Sequence, residues 1–80
     1  MLDQLLIELD LRLNEITDDS AIYDNCQDAY DLIHKDRKAQ QLYVEICKLL
    51  DYRMPEELKE ILQTYDIEIK NYHNQIEENK

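Results

Sequence analysis

The chain has no glycine, no phenylalanine and no tryptophan, one proline and two cysteines in 80 residues. The missing glycines exclude the Gly-rich loops that cradle phosphates and the two-residue hairpin turns that need positive φ, because other residues adopt those backbone angles only at a cost. The length allows one small domain, residues 1–80, with no room for a substrate cleft between subdomains, so no enzyme activity is expected. Basic residues are also scarce, 9 against 19 acidic ones, for a formal net charge of -10. That balance disfavours direct contact with DNA, RNA or an anionic membrane face and favours a partner that is itself basic.

After Met1, charge interrupts the apolar positions every one or two residues, which fits neither a signal peptide nor a membrane span and points to the cytoplasm. Cys26 and Cys47, in half-apolar contexts, read as free thiols rather than a disulfide. A hydrophobic fraction of 44% is enough for a core.

Apolar periodicity predicts an all-α fold, a small bundle of about four helices. Leu2, Leu6, Leu9, Leu13 and Ile16 recur at 4,3,4,3, a helical stripe over about 2–17. The alternation from Ile7 to Leu13 mimics a strand, but the longer window and the helix-forming Leu, Glu and Arg favour a helix. Thr17, Asp18, Asp19 and Ser20 are capping residues and mark a break. A second helix, about 20–34, carries Ile22, Cys26, Ala29 and Ile33. Its stripe is out of phase with Ala39, Leu42, Ile46 and Leu49, so a turn is expected near Asp36, which would cap a third helix over about 37–51. Pro55, followed by Glu56 and Glu57, opens a fourth helix over about 55–77. There Leu58, Leu62, Tyr65, Ile69, Tyr72 and Ile76 form a heptad seam. That seam, with Ile7 and Leu11 on the far side of the first helix, predicts a homodimer whose interface uses Ile7, Leu11, Leu62, Tyr65, Ile69 and Tyr72.

Charge is uneven along the chain. Residues 1–31 hold nine acids and one base, residues 32–59 five acids and six bases, and residues 60–80 five acids and two bases. Asp24, Asp28 and Asp31 fall at i, i+4 and i+7 of the predicted second helix and would form an unrelieved acidic stripe. At a rise of about 1.5 Å per residue its carboxylates would be spaced comparably to phosphates on a DNA strand. The same charge also serves plain solubility.

No constellation for catalysis or cofactors stands out. Asp31 and His34 are i, i+3, half of a carboxylate-histidine metal pair, but the inward positions elsewhere are Leu, Ile and Tyr, so no metal is expected. Cys26 or Cys47 with His34 as base lacks an oxyanion site. His34 reads better as a helix-terminal residue near the last carbonyls. The six tyrosines suit core and seam positions, with Tyr52, beside Arg53, as a candidate interface anchor. The Lys35, Arg37, Lys38 cluster is the one basic patch, and too few bases follow it for a DNA-reading helix.

The Asp18-Asp19 turn and the Asp24, Asp28, Asp31 stripe, reinforced by Asp3, Asp10 and Glu15, resemble the surfaces of small acidic inhibitors that bacteriophages make against host enzymes, DNA mimics among them. The resemblance covers about the first 31 residues and is one of composition, and the near-neutral middle third departs from it. It implies a non-catalytic inhibitor that enters the basic channel of a nucleic-acid-binding protein such as a sliding clamp, Cas nuclease or polymerase. The partner-binding candidates are Asp3, Asp10, Glu15, Asp18, Asp19, Asp24, Asp28, Asp31 and Tyr52. The alternative is a helical adaptor or immunity-type protein that uses an apolar groove between helices.

Overall fold

The computed structural model describes residues 1–51 and 53–78, with side chains except those of residues 20 and 76–78. Tyr52 and the Ile76 side chain therefore lie outside the described residues. The fold is all-α, with α1 Leu2–Thr17, α2 Ser20–Tyr23, α3 Ala29–His34, α4 Arg37–Leu50 and a long α5 Glu56–Glu78. No strand occurs among the described residues, and the alternating stretch from Ile7 to Leu13 is helical. The bundle is elongated, 45 × 22 × 17 Å.

Side-chain capping starts α2, α3 and α4. The Asp19 carboxylate accepts from the Ala21 N–H at 3.1 Å at the start of α2. Asp36 caps α4 by accepting from the Ala39 N–H at 2.9 Å. In a chain without glycine, Asp51 takes the left-handed position that ends α4, at φ 49° and ψ 50°. Asp tolerates that region better than most residues with a Cβ.

The expected helix over 20–34 is corrected to two short helices separated by residues 24–28. Asp28 is extended and accepts from the Asp31 N–H at 2.8 Å, while Asp31 accepts from the Gln27 N–H at 3.2 Å. This reciprocal arrangement resembles a capping box and starts a new helix. From α5, Asp66 accepts from the Ala29 N–H at 2.6 Å. On the other side of the break, the Asn25 side chain donates to the Ala21 carbonyl at 2.9 Å and closes α2.

The core comes from every helix, with Leu9, Leu13, Leu32, Ile33, Ile46, Leu58 and Ile69 fully buried. Tyr65 is also inside, at 3% exposure. Of the predicted seam, Tyr65 and Ile69 pack within their own chain, and Leu62 and Tyr72 are half-buried against the same core. A heptad stripe needs an apolar partner, and here α1 to α4 of the same molecule supply it. Ile7 and Leu11 do remain exposed, at 54% and 59%.

Two polar ties fix α1. The Arg12 guanidinium grips Asp36 through two bonds of 2.8 and 2.7 Å, joining α1 to the start of α4, and reaches Glu15 at 2.7 Å. The pair holds the Asp36 carboxyl below its ordinary range, aided by the Ala39 N–H. The Tyr65 hydroxyl donates to Asp10, to the carbonyl at 3.3 Å and the carboxylate at 3.2 Å. With Tyr65 beside Asp10 and Thr17 sharing a cleft with Asn71 and Gln75, α1 and α5 run parallel.

Burial pushes the Tyr23 hydroxyl up to about 12 and, together with the Asp10 charge, carries Tyr65 higher still. Groups whose pKa is raised on folding stabilise the fold below their unfolded value, about 10, and lose that contribution as pH rises through the folded one. Titration by tyrosinate absorbance is thus expected to show Tyr23 and Tyr65 ionising last, together with loss of helical circular dichroism. Tyr65→Phe should remove part of the late phase and cost about 0.5–1.5 kcal/mol.

Candidate functional site

Parallel α1 and α5 leave a groove of 580 Å³ between them, lined along α1 from Asp3 to Asn14 and along α5 from Glu57 to Glu68. Each helix contributes a row at 4,3,4 spacing: Asp3, Ile7, Asp10 and Asn14 from α1, and Glu57, Ile61, Thr64 and Glu68 from α5. At 3.6 residues per turn such a row stays on one side of its helix. The rows share a pattern, an acid first and an isoleucine second, and Leu6 and Tyr65 close the floor beneath them.

The electrostatics are one-sided. Asp3, Asp10, Glu57, Glu60 and Glu68 line the groove, and no Lys, Arg or His is among its described lining residues. Lys59, one position from Glu60, is drawn to Glu56 at 3.6 Å instead. The groove thus joins a buried apolar floor to walls that carry carboxylates from both helices and, on α1, an isoleucine more than half exposed.

The predicted site residues do not form one surface. Asp3 and Asp10 lie in the groove. Glu15 is on the α4 side of α1, in a cleft with Arg12 and Lys38, where Arg12 pairs with it. Asp18 and Asp19 are exposed in the α1–α2 turn. Asp24 faces the Tyr72 hydroxyl and raises its pKa. Asp28 and Asp31 are occupied in capping α3, so the phosphate-like stripe is corrected: its three members no longer lie on one helix. Glu57, Glu60, Ile61 and Glu68 are not among the site residues predicted from the sequence. Their common face on α5 is readable from spacing alone, but its position opposite α1 is a tertiary fact.

Further clefts lie outside the groove. Val44, Cys47, Leu50 and Met54 line a cavity of 440 Å³ at the α4–α5 corner with Lys48, Asp51 and Arg53. The polar cleft beside the α2–α3 link is stitched by structural bonds, since His73 donates to the Cys26 carbonyl at 2.7 Å. Cys26 is buried, its thiol pKa raised chiefly by desolvation and its Sγ bonded to the Ile22 carbonyl at 3.3 Å. His34 ends α3 and meets the Tyr30 ring edge-on at 4.3 Å between centroids. Among the described residues no three His, Cys, Asp or Glu side chains gather to hold a metal ion, and no helix is long and apolar enough to cross a membrane. In comparisons with protein-family models, curated proteins and solved structures, the chain matches none.

Proposed function

We propose that this chain is a non-catalytic inhibitor that docks its acidic α1–α5 groove on the basic, nucleic-acid-binding surface of a protein partner and blocks nucleic acid from reaching it. The observation that carries this reading is the groove itself, with five carboxylates and no base among its described lining residues, and a partly exposed Ile7 between two of the acids. Carboxylates at this density attract a Lys- and Arg-rich surface over a Debye length of about 8 Å at physiological salt and speed association. Ile7 and Ile61 then supply the apolar contact that holds a complex once formed.

Displacement of a labelled DNA duplex from a sliding clamp, a Cas nuclease and an RNA polymerase tests the proposal. The chain is expected to release DNA from at least one of them at low ionic strength and less well at high. A variant with Asp3→Asn, Glu57→Gln and Glu60→Gln should lose that effect. Equal displacement by this variant, or none from any target, contradicts the proposal.

A further inference from the structure

We infer that the α1–α5 groove receives a single α-helix of its partner, about three turns long, with an apolar stripe facing Ile7 and Ile61 and Lys or Arg on both flanks of that stripe. The inference rests on the groove being the docking face and adds the form of the occupant. Three observations carry it.

The first is length and period. From Asp3 to Asn14, and again from Glu57 to Glu68, the lining rows span about 16 Å at 1.5 Å per residue, the rise of three helical turns. Heptad-spaced rows on two parallel helices present the alternating ridges and hollows into which a third helix packs. A strand, with a repeat of two residues, would match that spacing poorly.

The second is the distribution of polarity across the groove. Buried Leu6 and Tyr65 close the floor, and each wall sets an isoleucine between carboxylates, Ile7 between Asp3 and Asp10 on one side and Ile61 between Glu57 and Glu68 on the other, with Glu60 beside it. A helix with an apolar stripe set between two basic edges complements this arrangement in both respects, the helix-in-groove mode of recognition.

The third concerns a second copy. Two grooves meeting about a two-fold axis would place like surfaces together, five carboxylates against five. Like charges face to face disfavour that contact, so charge complementarity assigns the groove to a basic helix.

Two fluorescently labelled 14-residue peptides of identical Leu, Lys and Ala composition test the inference, one with Leu at i, i+3, i+7 and i+10 flanked by Lys, the other permuted to scatter both types around the helix. Anisotropy is expected to show at least tenfold tighter binding of the patterned peptide, with a gain in helical circular dichroism on binding. Ile7→Ser, at an exposed position, should leave the fold intact and reduce the preference, and Ile7→Ser with Ile61→Ser should abolish it. Equal, salt-sensitive binding of both peptides would overturn the helix inference while leaving the acidic groove as an attractor of bases. Failure of both peptides to bind would remove the helix inference and the docking reading together. A dimer in sedimentation that Ile7→Ser dissociates would overturn the inference in favour of self-association.

Discussion

Replacing Asp36 with alanine is expected to lower the midpoint of thermal unfolding by at least about 4–8 °C, the shift that 1 kcal/mol produces in a domain of this size. Loss of the α4 cap alone accounts for about 1 kcal/mol, because the Ala39 N–H is left without its acceptor. The same substitution removes both bonds from Arg12 and so unties α1 from α4. Glu15→Ala is the matched control. It removes an exposed partner of Arg12 across one helix turn, a kind of pair that contributes little to stability. Its midpoint should stay close to that of the parent.

The pH dependence of this effect has a definite sign. The folded carboxyl of Asp36 titrates below its unfolded value, so its contribution is present above about pH 4 and fades as pH falls through the folded pKa. Urea unfolding at neutral pH should therefore separate the parent from Asp36→Asn clearly. At strongly acidic pH the difference should shrink. An equal gap at both pH values would show that the Arg12–Asp36 pair is not what the substitution removes.

Charge reversal at the groove carries the second large effect. Glu57→Lys combined with Glu60→Lys places two cations where a basic helix would lie, and affinity for the patterned peptide should fall about 10- to 100-fold at low salt, equivalent to about 1.4–2.7 kcal/mol. Both side chains are exposed, so the fold should hold. Raising the salt concentration should narrow the gap between parent and variant, since screening weakens attraction in one and repulsion in the other. The same two reversals at Asp18 and Asp19, outside the groove, should change affinity far less.

What the sequence made legible follows from how far each signal reaches. Asp36 and Asp19 cap helices through bonds to backbone groups two or three residues away, and Pro55 directly precedes the start of α5, so these boundaries are written locally. The break at residues 24–28 is different. Asp28 and Asp31 suit a capping box as well as two steps of an acidic stripe, and the further acceptor, Asp66, comes from 37 residues away. Local spacing does not choose between those states, whereas tertiary contact does. The α5 seam was legible as apolar but not as internal, because a heptad records that Tyr65 and Ile69 need a partner without recording whose helix supplies it. The groove shows the same limit. Its α1 and α5 rows are each periodic in the sequence, and only the parallel packing reported by Tyr65 on Asp10 sets them opposite each other.

The most direct measurement is amide chemical-shift mapping of the isotope-labelled chain titrated with the patterned basic peptide. The groove reading predicts that the largest shifts fall at Ile7, Asp10, Ile61, Thr64 and Glu68, with Asp24, Asp28 and Asp31 little changed. Shifts concentrated on Asp18 to Asp31, with α5 unmoved, would place the binding face elsewhere and contradict the account.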